Sequence, residues 1–198
     1  MTERIAVMRY LFVFSLLALF LIPPVQAQQH RLTGELAVGK IGAGDHLIPS
    51  AQLGYSREIW SYVDVTASTR FSFIETYGSR FLLSRGSFSY LDGTVGLTIR
   101  PFDTDHHRLD VGLSGAIRGR WETRATRAKA RTDSNGEIEE IIFIDYERRK
   151  SADVGYLLRA GYSYRISSSV RLGAHLHGYT YQEGTSLFVF GLSVDYTL

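Results

Sequence analysis

Apolar side chains recur on every second position along most of the chain. In RLTGELAVG they are Leu32, Leu36 and Val38, and in SAQLGYS they are Ala51, Leu53 and Tyr55. YVDVTASTRFSF carries Val63, Val65, Ala67, Phe71 and Phe73, and YLDGTVGLTIR carries Leu91, Val95, Leu97 and Ile99. RLDVGLSGAIRGRW shows Leu109, Val111, Leu113, Ile117 and Trp121, and ADVGYLLRAGYSYR shows Val154, Tyr156, Leu158, Ala160, Tyr162 and Tyr164. SVRLGAHLHG gives Val170, Leu172, Ala174 and Leu176, and SLFVFGLSVDYTL gives Phe188, Phe190, Leu192, Val194, Tyr196 and Leu198. A period of two puts one set of side chains on each face of a strand. Eight such segments predict eight strands. The stretches SREIW, RPFDTDHH and SSS look like tight turns, whereas KIGAGDHLIP, ETYGSRFLLSRGS and residues 123–151 look like long loops on the other side. YQEGTS is the short member of that second set. The pattern predicts an all-β fold, an eight-stranded antiparallel up-and-down transmembrane β-barrel.

Alternation alone leaves open which face is inside, because a soluble barrel and a membrane barrel are inverses of each other. The polar faces decide it. They carry Arg31, Glu35, Asp64, Arg70, Asp92, Arg100, Asp110, Arg118, Arg120, Glu122, Asp153, Arg159, Arg165, Arg171 and Asp195, beside small residues such as Gly96, Gly112, Gly161, Gly173 and Gly191. A narrow interior needs small residues beside large charged ones; a watered surface does not. The apolar faces add Tyr55, Trp60, Phe102, Tyr164 and Tyr196 near the turns, and Phe73, Phe88, Trp121, Tyr156 and Phe188 near the loops. Two aromatic belts around an aliphatic band suit a bilayer. A spanning sheet must then close on itself, so the last strand is expected to pair with the first.

Residues 1–27 read differently. Arg4 and Arg9 precede YLFVFSLLALFLI, an uncharged run, and PPVQA ends in a small-x-small exit at Val25 and Ala27. That is a secretory signal pattern, with the apolar run too short to span as a helix. The expectation is a cleaved signal at 1–27 and one barrel domain at 28–198. The formal net charge of +2 over 198 residues implies no nucleic-acid partner, and the absence of cysteine means that the exported protein is built without disulfides.

On the signal, the strand count and the terminal strand, the chain resembles the small eight-stranded outer-membrane proteins of Gram-negative bacteria, including the transmembrane domain of outer-membrane protein A and the generic Bacteroidota outer-membrane barrels. The resemblance implies outer-membrane lipid and lipopolysaccharide around the barrel. It also implies recognition by the barrel-assembly machinery through Phe188, Phe190, Leu192, Val194 and Tyr196, with Leu198 in place of the usual terminal phenylalanine. No peptidoglycan-binding domain follows the barrel in the sequence, so no cell-wall tether is expected, and the protein is read as a monomer without a cofactor.

Four places carry candidate chemistry. The first is a lumen ionic network of Glu35, Asp64, Arg70, Asp92, Asp110, Arg118, Arg120, Asp153, Arg159, Arg165, Arg171 and Asp195. Folding alone demands near-balance of buried charge, so the network is read either as a closed salt-bridged plug or as the lining of a narrow porin-like channel. The second is His175-Leu-His177. The two imidazoles share the inward face and could hold a metal, but Glu122 and Glu183 are unplaced as third ligands, and satisfied lumen histidines are the plainer account. His106 and His107 read as solvent residues of a turn. The third is a lipid A-modifying hydrolase, for which the position two after each histidine should offer serine but is His177 or Tyr179. The protein is therefore read as no enzyme. The fourth lies between Thr123 and Ser151. Asn135-Gly136 is a hairpin turn signal, and pairing outward from it sets Arg131 opposite Glu140 and Arg124 opposite Glu147. Either strands five and six continue as a ribbon, offering Ile141, Ile142, Phe143 and Ile144 to an extracellular protein partner, or the segment is a charged loop.

Overall fold

The computed structural model describes residues 29–41, 47–76, 86–132 and 138–198. The signal-like segment, the Asn135-Gly136 turn and the middles of the two other long loops lie outside the described residues. The described side chains exclude Ile141, Ile142, Phe143 and Ile144, whose backbone alone is placed.

Eight antiparallel strands form one closed barrel: β1 (His30–Ile41), β2 (Leu47–Trp60), β3 (Val63–Thr76), β4 (Gly86–Asp103), β5 (His107–Thr132), β6 (Ile138–Arg165), β7 (Val170–Tyr181) and β8 (Ser186–Thr197). Each strand pairs with its chain neighbours. The seam is β1 against β8, from Arg31 opposite Thr197 to Ile41 opposite Leu187. Leu198 N donates to His30 O at 2.9 Å, so the ladder runs to the last residue of β8 and beyond it.

The outward face is apolar. Leu36, Leu53, Leu113, Leu176 and Leu192 are between 59% and 75% exposed, whereas Asp92, Arg70 and Asp64 are at most 1% exposed. Burying charge and exposing leucine reverses the arrangement of a water-soluble barrel, and only a lipid environment makes it favourable. Trp60, Phe102, Tyr162, Tyr164 and Tyr196 are exposed near the turns, and Phe73, Trp121, Tyr156 and Phe188 near the loops. Phe88 is a correction. It has the parity of buried Tyr90, and the Arg120 guanidinium lies 5.3 Å over its ring, so it belongs to the inner face rather than to the belt.

Three boundaries differ from those that alternation predicts. β2 starts at Leu47, with Pro49 opposite Val38, and it runs through SREIW to Trp60. The turn falls instead at Ser61 and Tyr62, the latter in the left-handed region at φ 73°. β4 reaches Asp103 through a register shift between Ile99 and Phe102. A second shift lies between Glu58 and Trp60. Such bulges insert one residue and invert parity, which is how even-numbered Trp60 and Phe102 face outward on strands whose other outward positions are odd.

Candidate functional site

The lumen is filled in tiers. Nearest the turns, the carboxylate of Asp64 accepts from Arg31 and lies 3.4 Å from Arg100. Arg100 also reaches Glu58 at 2.8 Å and Asp103 at 3.2 Å. Asp103 further receives Arg108 at 2.9 Å and stands 3.7 Å from Arg171, whose guanidinium donates to the Thr104 and His106 carbonyls at 3.4 Å. Sequence reasoning missed Glu58, Asp103 and Arg108: the first two fall in stretches that read as turns, whereas Arg108 shares the inward parity of Asp110. Their signal is present all the same: both turns carry acids beside a strand end rich in inward arginine.

The middle tier centres on Glu35. Arg70 donates to its Oε1 at 2.8 Å and to Gln52 Oε1 through Nε at 2.9 Å and Nη2 at 2.5 Å. Its Oε2 lies 3.0 Å from both His175 Nδ1 and His177 Nε2. A carboxylate only accepts, so each of those ring nitrogens carries the proton. The alternation of β7 aims both imidazoles inward, and the β1–β8 closure brings Glu35 under them. Two glycines make the room. A Cβ on Gly191 would lie 2.4 Å from Glu35 Oε1, and one on Gly161 would lie 2.1 Å from the His175 ring. Glu35 is therefore the third group beside the histidine pair; Glu122 pairs with Arg120 at 2.8 Å, and the Glu183 backbone N–H donates to Asp153.

On the turn side of this cluster lies a cavity of about 20 Å³, lined in part by Arg31, Thr33, Asp110, Arg159, His175 and Asp195. Asp195 accepts from Thr33 at 2.6 Å, and Arg159 donates to Thr98 at 2.6 Å. On the loop side, Asp92 accepts from Arg118 at 2.7 Å and from Tyr181 at 2.8 Å. The Arg118 guanidinium sits 3.9 Å over the Tyr181 ring, and Tyr179 stacks parallel to Tyr181 at 6.1 Å. Leu157, Leu187 and Val189 pack in one buried cluster with these rings, Leu157 and Leu187 opposite Tyr179 and Val189 opposite His177 in register.

The remaining predicted members sit at the mouths. Asp153 is opposite Arg118 in register, yet its carboxylate accepts from the Val154 and Glu183 backbones. Arg120 is about one-third exposed. Arg165 is partly exposed and lies opposite Arg171 in register. His106 stacks on Tyr164, and His107 bonds the Tyr162 hydroxyl at 2.6 Å, so these turn histidines engage the aromatic belt rather than water alone.

Beyond the barrel rim, β5 and β6 run on as a pair. The last β4–β5 partner is Gly86 opposite Arg124, and the last β6–β7 partner is Gly155 opposite Tyr181. Arg124 stands opposite Glu147 and Arg131 opposite Glu140 despite register shifts along the ribbon, which cancel between these two pairs. At the base of the ribbon Arg149 donates to Glu147 at 2.9 Å, and that bond holds the guanidinium above its ordinary range.

No family model matches the chain, and no curated protein is similar to it in sequence. Solved structures do match. The attachment invasion locus protein Ail of Yersinia pestis aligns with TM-score 0.56 at 13% identity, over 88% of this chain and all of that one. A major outer-membrane protein of Thermus thermophilus aligns with TM-score 0.52 at 13% identity, over 85% of this chain and 99% of that one. OprG of Pseudomonas aeruginosa aligns with TM-score 0.50 at 9% identity, over 86% and 95%. The chain has the fold of the small eight-stranded outer-membrane β-barrel proteins.

Proposed function

We propose that the protein is a monomeric, non-enzymatic barrel of a Gram-negative outer membrane that works at its outer surface, through the β5–β6 ribbon. The observation that carries this reading is the unshared length of that pair. Among the described residues, 125–132 of β5 lie beyond the last β4 partner, and 138–153 of β6 lie beyond β7, with Val154 O still accepting from Gln182 N. Among the described residues the outer edges of this pair are laddered to neither β4 nor β7, and an extracellular protein can add a strand to such a sheet edge. The filled bore supports a structural plug over the channel reading, since ion pairs and then stacked rings packed with apolar side chains succeed one another across it. His175 and His177 face Glu35 rather than lipid, which disfavours the hydrolase reading.

The test replaces residues 127–144 with a two-residue turn. The trimmed barrel is expected to keep its heat-modifiable gel mobility, while bacteria displaying it adhere less to protein-coated surfaces than bacteria displaying the full chain. Equal adherence overturns the proposal.

A further inference from the structure

Glu35, His175 and His177 present three donor atoms within 4.8 Å of one another, and all three residues are buried. We infer that this triad is a binding site for one late first-row divalent cation, with Zn2+ as the reference ion. The inference is independent of the ribbon.

Four observations carry it. First, the donor set fits the chemistry. Two neutral imidazoles and one carboxylate suit Zn2+, Co2+, Ni2+ or Cu2+, whereas Ca2+ and Mg2+ want oxygens. Second, the spacing fits. Oε2 is 3.0 Å from each ring nitrogen; a tetrahedron with metal–ligand bonds of about 2.0–2.1 Å has edges of about 3.3 Å. Oε2 and each ring nitrogen need separate by only a few tenths of an ångström, and all three donors already lie within 4.8 Å of one another. Third, the surrounding shell is built. Arg70, fixed by Gln52, holds Oε1 at 2.8 Å, which leaves Oε2 as the single coordinating oxygen. Glycines at 161 and 191 provide space that any Cβ would take from His175 and Glu35. Fourth, a cavity of about 20 Å³ on the turn side has His175 in its wall, enough for about one water and so for a fourth ligand. On the loop side Tyr179 stacks on His177 and on Tyr181, so the ion reaches the triad from the cavity side.

Binding conserves charge on the imidazoles. His175 moves its proton from Nδ1 to Nε2, and His177 moves its proton from Nε2 to Nδ1. Each freed lone pair goes to the metal, and no proton leaves the protein.

The full chain is to be refolded in detergent micelles from metal-free denaturant with Zn2+ supplied during and after refolding, then passed into metal-free buffer. One zinc per chain is expected, with a higher urea midpoint than the metal-free barrel. X-ray absorption should report two imidazole nitrogens and carboxylate oxygen. The His175→Gln/His177→Gln double variant, checked for folding by heat-modifiable mobility, should bind at least tenfold more weakly. The His106→Gln/His107→Gln variant should bind like the parent. A zinc-free parent, or full retention by the folded double variant, overturns the site. If the double variant does not fold, the parent's spectrum decides alone: a shell of oxygens, or of one imidazole, refutes the triad.

Discussion

Glu35 shows how much one lumen residue does. It answers one arginine and two histidines at once, and it is buried. Glu35→Ala leaves Arg70 charged in the bore with Gln52 as its remaining neutral acceptor, and losing one partner of a buried pair costs about 3–5 kcal/mol. Urea titration of the refolded barrel should show that loss. Gly191→Ala should cost about 1–3 kcal/mol through overpacking against the Glu35 carboxylate, whereas Gly34→Ala, with open space around its Cβ, should change the midpoint little. The polarity and parity of Glu35, His175 and His177 were readable from alternation. Their convergence was not, because the histidines stand 140 and 142 positions from Glu35 in the chain. Phe88 failed for the opposite reason: aromaticity suggested a belt position, while its parity with Tyr90 put it inside.

Strands carry the second set of consequences. Leu113 is 59% exposed on β5 and its neighbour Ser114 is buried. Leu113→Arg places a charge on the lipid face near mid-band, where the cost is about 2–4 kcal/mol. Ser114→Ala keeps the inward position small, so it should insert normally. Folding yield into lipid vesicles separates the two, and equal yields would contradict the facing assignment. The ribbon makes a different prediction. Ile141, Ile142 and Phe143 lie opposite Ala130, Lys129 and Ala128. Their ladder amides should exchange more slowly than those of a loop, measured by hydrogen–deuterium exchange. Rapid exchange throughout would show that the pair does not hold outside the barrel, where a two-stranded ribbon has little else to stabilise it. Strand identity followed from alternation, but strand ends did not. At Glu58/Trp60 and Ile99/Phe102 a bulge continues the ladder while breaking the period on which the boundary was judged.

At the scale of the whole molecule, closure and filling set the behaviour. A sealed barrel should resist detergent until heated, so unboiled and boiled samples should migrate differently in a gel. A bore crossed by the Arg118–Asp92 pair and the Tyr179–Tyr181 stack, with Leu157, Leu187 and Val189 packed beside it, should pass no current in planar bilayers. Discrete conductance steps would restore the channel reading.

Period-two alternation by itself determined that the chain makes eight strands. The charge and glycine on one face determined which side meets lipid, because a strand's two faces are assigned residue by residue along the chain. Tertiary structure alone decided which charges meet. Pairing across the bore depends on register around a closed sheet, on two bulges that invert parity, and on glycines that admit one side chain and exclude another. These relations join residues from different strands, and no local pattern specifies them.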